Sequence, residues 1–230
     1  MGIGHRVIHS TAIIDAKAEV PGSVAVGPHS VIDAGVALGQ GCVIGPHVHL
    51  TGETTIGNNN TFHTGTVIGD APQDLKYDGA PTRLRIGDEN IFREHVTLNR
   101  SNSLEEDTVI GSHNFFMAHS HVGHNTVVGD HNIFANAALL GGHVVVGDHV
   151  FISAYCGVHQ FVRVGSLSMM QGHSGASKDV PPFTMVSAGL NKLCGLNSVG
   201  LRRAGISPED HSELKRCYQR IFMGDENIGQ

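Results

Sequence analysis

Aliphatic residues recur at every sixth position along most of this chain. From Ile8 the series runs through Ile14, Val20, Val26, Ile32, Leu38, Ile44, Leu50, Ile56 and Phe62 to Ile68. It resumes in phase at Ile86, Phe92 and Leu98. It resumes again from Ile110 through Phe116, Val122, Val128, Phe134, Leu140, Val146, Ile152, Val158 and Val164 to Met170. Glycine often follows the aliphatic residue, as at Gly27, Gly45, Gly111 and Gly147. A small or β-branched residue stands four places on, as at Ala12, Ser30, Thr66 and Ala138. A period of six fits neither a free helix nor a flat strand. It is the period of a β-helix, in which each hexad is one short strand and one corner. The aliphatic side chain points inward, and Gly or Asn/Asp is expected to supply the corner dihedrals. The fold class is therefore all-β. Three hexads close a coil, so equivalent positions recur every eighteen residues, and the series predicts about ten coils.

Two segments interrupt the pattern without shifting it. Asp70 to Arg85 is polar and rich in Pro and Gly, and Asn99 to Asp107 is polar and acidic. Loops of this length on a rigid scaffold usually carry function. After Pro181 and Pro182 the hexads stop. Ser207, Pro208, Glu209 and Asp210 form a helix start, and Leu214, Cys217, Tyr218, Ile221 and Phe222 then follow at helical spacing. These signals divide the chain into a β-helix over 1–185, with loops at 70–85 and 99–107, and a short helical segment over 186–230. The final GDENIGQ is expected to be loose.

Composition agrees with thin strands and tight corners. There is no Trp, aromatics are 5% and Gly numbers 30. The formal charge of −6 argues against nucleic acid as a partner. Basic residues instead crowd the C-terminal part at Lys192, Arg202, Arg203, Lys215, Arg216 and Arg220, a face suited to an acidic partner. The four cysteines form no CxxC pair, with Cys42 and Cys156 on small inward positions. MGIGHRVIHS carries no leader-like apolar run, and no apolar stretch is long enough to span a membrane. A cytoplasmic location is expected.

The histidines suggest the chemistry. Met117 to Asp130 holds His119, His121 and His124. Eighteen residues beyond His124 lies Gly142 with His143 beside it, and a further coil brings Gln160 with His159 beside it. One outer column is thus predicted to carry His, Gly-His and His-Gln. His29, His47, His131 and His149 follow Pro or Asp in repeated corners and are expected to be surface filler.

Several motifs resemble the bacterial UDP-N-acetylglucosamine 3-O-acyltransferases. They are Gln73-Asp74-Leu75-Lys76-Tyr77 with Pro81-Thr82-Arg83, the HVGH ending at His124, the GGH ending at His143, the VHQF ending at Phe161 and the DVPPF ending at Phe183. The resemblance spans Ile8 to about Gly205. It implies a left-handed β-helix and a homotrimer with shared active sites. It also implies transfer of a 3-hydroxyacyl group from acyl carrier protein to a UDP-sugar, the first step of lipid A biosynthesis. His124 would be the general base and the Gly142 amide the oxyanion donor. Asp74, Lys76, His121, His143, His159, Gln160, Asn197 and Arg203 would bind substrate, and Gly172 would mark the end of the acyl groove. No cofactor or metal is implied.

The chain departs from that pattern in places. Asn125 follows the catalytic histidine where an acid is usual, Asn99 replaces a histidine, and Val199 and Ala204 stand where charged residues help to hold the nucleotide. The C-terminal helical region is shorter. Three other readings compete. His119, His121 and His124 could hold zinc, as in γ-class carbonic anhydrases. The acceptor could be a 3-amino sugar nucleotide. The chain could also be a catalytically idle paralogue.

Overall fold

The structure is a computed structural model that describes residues 8–224. Residues 1–7 of MGIGHRVIHS and all but the first residue of the GDENIGQ end lie outside these residues. Strands, mostly of two residues, follow one another around a three-sided coil, from Ile13–Ile14 to Leu193–Leu196. Each pairs with the strand one coil on, which gives sheets of ten, seven and ten strands. Ile14 pairs with Ile32 and Val122 with Leu140, each eighteen residues on. Across the first interruption Ile56 pairs with Ile86, thirty residues on, and across the second Ile86 pairs with Ile110, twenty-four on. Both spans are multiples of six, which is why the phase survives the loops.

Every in-phase residue named above from Val26 to Met170 is buried. Where the hexads place Phe, the rings of Phe62, Phe92, Phe116 and Phe134 stack with centroids 4.9, 5.0 and 4.5 Å apart. Beside this stack runs a buried asparagine ladder, which the small-residue rule at that position did not anticipate. Oδ1 of Asn60, Asn90 and Asn114 accepts from the backbone N–H of Asn90, Asn114 and Asn132, at 2.9, 2.8 and 2.8 Å. Their Nδ2 atoms donate to corner carbonyls of Gly87, Gly111 and Gly129. Each asparagine thus satisfies backbone groups that a corner would otherwise bury unpaired.

The corners correct one expectation. Except at Gly69, with φ 83°, the glycine directly after the aliphatic residue does not supply the left-handed dihedral. That conformation falls two residues later; Gly41, Gly65, Asn59 and Asn125 take it as expected, but so do His29, His47, His95, His113, His119, His131, His143, His149 and His173, the histidines with φ between 55° and 63°. Histidine tolerates this region better than most side chains. The glycine is needed for closeness instead: a Cβ on Gly39 would lie 2.4 Å from the Gly57 backbone in the next coil. The corner rings also stack, His113 on His131 at 4.7 Å and His131 on His149 at 4.9 Å. The histidines read as filler therefore shape the corners.

β-structure continues past residue 185. Thr184–Val186 is followed by Gly189–Leu190 and by Leu193–Leu196, which runs antiparallel to Thr184–Val186. Helix α1, Ser198–Arg203, then starts on an Asn197 cap that the sequence did not reveal. Helix α2, Pro208–Met223, begins as expected, with the Ser207 hydroxyl accepting from Asp210 N–H at 3.1 Å. Only Tyr218 of its apolar face is buried; Cys217, Ile221 and Phe222 are exposed. Cys42 and Cys156 are buried. Among the described residues no helix is long and apolar enough to cross a membrane.

Candidate active site

His124 sits on a corner, one residue before the left-handed position, which Asn125 takes with φ 56°. Stacking of the coils builds the column the spacing predicted. His143 N–H donates to the His124 carbonyl, and Phe161 N–H donates to that of Gly142. Gly142 is a packing requirement as well, because a Cβ there would lie 2.7 Å from Cε1 and Nε2 of the His124 ring. Its own N–H finds no acceptor among the described residues.

The orientation of the imidazole follows from donors and acceptors alone. Asn102 N–H points at the Asn125 side chain at 3.0 Å, and an N–H can only donate, so the atom it meets is Oδ1. That same oxygen lies 2.8 Å from Nδ1 of His124. Nδ1 must therefore carry the hydrogen, and Nε2 of the neutral ring keeps its lone pair. Asn125 is buried and fixed from behind. Its Nδ2 donates to Ser101 Oγ at 2.9 Å and to Glu106 Oε2 at 3.2 Å, and its N–H donates to Thr108 Oγ1.

Both interrupting loops meet here. Asp74 Oδ2 accepts from Asn102 Nδ2 at 2.9 Å, and Asp74 Oδ1 accepts from Lys76 N–H at 3.0 Å. The Lys76 N–H first and Asn102 second hold the Asp74 carboxyl below its ordinary range. Arg100 anchors the first loop: it donates to Gly69 O at 2.8 Å and to Tyr77 Oη at 3.0 Å, and lies over the Tyr77 ring. In the second loop, Asp107 would be raised by burial, but hydrogen bonds from Arg85 and Arg83 outweigh that and keep it low.

His124 stands between two cavities. One, of about 700 Å³, is lined by His121, Gly142 and His159 and by the apolar Leu139, Val158 and Leu190. The other, of about 580 Å³, is lined by Asp74, Lys76, Asn102 and His143. Gln73, His124 and Gln160 line both. Burial and then the neighbouring His124 hold His121 and His143 below the ordinary histidine value, so both favour the neutral ring. His121 Nδ1 lies 2.7 Å from Thr97 Oγ1. Asn99 lines the first cavity with its Oδ1 buried and unpaired, while its Nδ2 donates to Ala71 O.

Three expectations fall elsewhere. Asn197 and Arg203 line a separate cavity of about 420 Å³ with His131, His149 and Met169, on a different sheet from His121. The Asn197 side chain is engaged within the fold, accepting from Gly200 N–H and donating to Leu167 O. Gly172 does not line the groove beside His124. His119 stacks on His95 at 5.2 Å. The three histidines read as possible zinc ligands do not converge, and no group of three metal-binding side chains occurs among the described residues.

Asn102, Ser101 and Glu106 escaped the sequence reading because their loop belongs to no hexad. The signal available was Asn125 itself, an amide where an acid is usual.

Known proteins resemble this chain in sequence and fold. Residues 179–230 match the family model described as UDP-N-acetylglucosamine O-acyltransferase, domain 2. An acyl-(acyl-carrier-protein)-UDP-N-acetylglucosamine O-acyltransferase from Thermodesulfovibrio yellowstonii is 46% identical over 216 residues, 94% of this chain and 84% of that protein. The structure of LpxA from Acinetobacter baumannii superposes with a TM-score of 0.91 at 41% identity, covering 96% of this chain and 86% of that one. A UDP-N-acetylglucosamine acyltransferase from Campylobacter jejuni gives 0.90 at 30% identity, with the same coverage. The coil is the left-handed parallel β-helix of those structures. At this identity and coverage, the chain belongs to the UDP-N-acetylglucosamine O-acyltransferase family.

Proposed function

We propose that this protein moves a 3-hydroxyacyl group from acyl carrier protein to the 3-position of UDP-N-acetylglucosamine, the first step of lipid A biosynthesis. The observation that carries the reading is the forced Nδ1–H tautomer of His124, which leaves Nε2 as a base between two cavities. The apolar groove along Leu139, Val158 and Leu190 suits the acyl chain, and the polar cavity with Asp74, Lys76 and His143 suits the sugar.

In this reading the sugar hydroxyl gives its proton to His124 Nε2 as its oxygen attacks the thioester carbonyl. The carbonyl oxygen becomes an oxyanion facing the unpaired Gly142 N–H, a preorganised donor. Collapse expels the carrier thiolate, which takes the proton back from the imidazolium. His121 and His159 flank the acyl side, and Gln160 spans both sides. Catalysis falls to the coil, which runs past the expected boundary at 185 because Leu190 lines the groove, and carrier docking to the basic helical segment after it.

The reading includes a cytoplasmic homotrimer. The cavity lined by Arg203 and Asn197 shares no residue with the two cavities beside His124, and a neighbouring copy would bring that face over the groove. An acyl-transfer assay tests the whole reading. It offers UDP-N-acetylglucosamine and its 3-amino analogue with a panel of hydroxyacyl carriers. Transfer to the hydroxyl acceptor is expected; transfer to neither acceptor overturns the reading.

A further inference from the structure

We propose that Glu106 is the positioning acid of this site and acts on His124 through the Asn125 amide. This rests on the reading of His124 as the base. Asn125 can hold the imidazole in its tautomer, but a neutral amide cannot offset the charge that develops when Nε2 takes a proton. The nearest carboxylate on this path is Glu106. Its Oε2 accepts from Asn125 Nδ2 at 3.2 Å, while Asn125 Oδ1 faces His124 Nδ1 at 2.8 Å. Glu106, Asn125 and His124 thus form one chain of hydrogen bonds, in which each link polarises the next. Ser101 and Asn102 of the same loop clasp Asn125 from two further sides. The 99–107 loop therefore delivers an acid to a corner whose own residue is not acidic.

The other charged and titratable groups around His124 do not fill this place. Lys76 carries the wrong sign. Asp74 also acts on His124 across the polar cavity that both line, but it is bound to Asn102 and Lys76 N–H and makes no hydrogen bond to Asn125, the residue that holds Nδ1. His121 and His143 are pushed toward the neutral form by burial and by His124. Glu106 also lies 3.7 Å from His143 Nδ1, so the carboxylate serves two rings, with Asn125 the closer contact.

The test separates charge from shape. Glu106→Gln keeps an oxygen that can accept from Asn125 Nδ2 and removes only the charge. It is expected to lower kcat by about three- to tenfold with KM little changed, and to move the acid limb of the kcat/KM profile to lower pH. Glu106→Asp should recover part of the loss. In an Asn125→Asp background the acid is already beside the ring. There the Glu106→Gln change should be neutral or beneficial, because two carboxylates no longer face each other. NMR titration of the His124 ring reads the same coupling without turnover, and its midpoint should fall in Glu106→Gln. Equal losses from Glu106→Gln in both backgrounds, or an unmoved His124 midpoint, overturn the proposal. Absence of transfer by the unaltered protein would instead refute the reading of His124 as base, and the NMR midpoint would still decide the role of Glu106.

Discussion

Nδ1 of His124 lies 2.8 Å from Oδ1 of Asn125, and that oxygen already accepts from Asn102 N–H. This one contact sets the tautomer, frees Nε2 and ties the catalytic corner to a loop that the hexad pattern skips. Removing the ring should abolish the chemistry and spare the fold, because His124 is only partly buried on the outside of the coil. His124→Ala is expected to lower acyl transfer by about a hundred- to ten-thousandfold, with an unchanged circular dichroism spectrum. Full activity in that variant would remove His124 from the mechanism.

Gly142→Ala tests the close approach of the column. The added Cβ would meet the His124 ring at 2.7 Å, so the ring must turn away. We expect kcat to fall by about a hundredfold, with thermal stability nearly unchanged. A fully active Gly142→Ala would mean that the ring works from another position.

Gly157 lines the apolar groove, and a Cβ there meets nothing within 4 Å. Gly157→Leu should therefore fold normally and fill the groove. Competition between short and long hydroxyacyl carriers is expected to shift toward the short chain. An unaltered preference would place the acyl chain elsewhere.

Stability should depend on the two ladders inside the coil. Phe116→Ala removes the middle of a four-ring stack in which Phe116 is fully buried. The expected cost is about 3–5 kcal/mol, measured by denaturant unfolding. Asn114→Ala strips Asn132 N–H and Gly129 O of their partners and should cost about 1–3 kcal/mol.

His121 and His143 also predict a pH dependence. Burial first, and then His124, hold both below the ordinary histidine value of about 6.5. Below 6.5 the unfolded chain therefore binds protons that the folded chain does not, and folding stability falls as pH falls from there toward the folded values. Urea midpoints taken across this window should decline, and His121→Gln should flatten the decline. A variant as steep as the parent would assign the effect to other groups.

The hexad series made the coil legible, down to which residues are buried from Val26 to Met170, because one period governs both backbone and core; at the open first coil the in-phase Ile8 is exposed. It also placed His124, Gly142 and Gln160 in one column, since that column follows from counting. The corners were less legible. The left-handed dihedral was expected of Gly and Asn/Asp, and corner histidines that also adopt it were read as surface filler, because composition does not say which corner position needs φ > 0 and which needs room. Helix α1 was missed for a related reason: Asn197 caps it by contact with Leu167 and Gly200, and no periodic signal marks so short an element.

What the sequence determined by itself was the repeat, the column of polar residues on its outer edge and the family motifs. These are local or periodic properties, fixed by spacing along the chain. Only the tertiary structure decided how Asn125 can serve where an acid is usual. Glu106 lies nineteen residues from Asn125 in the chain and 3.2 Å from it in space. A loop without period reaches its partners through folding of the whole coil, and spacing along the chain does not encode that distance.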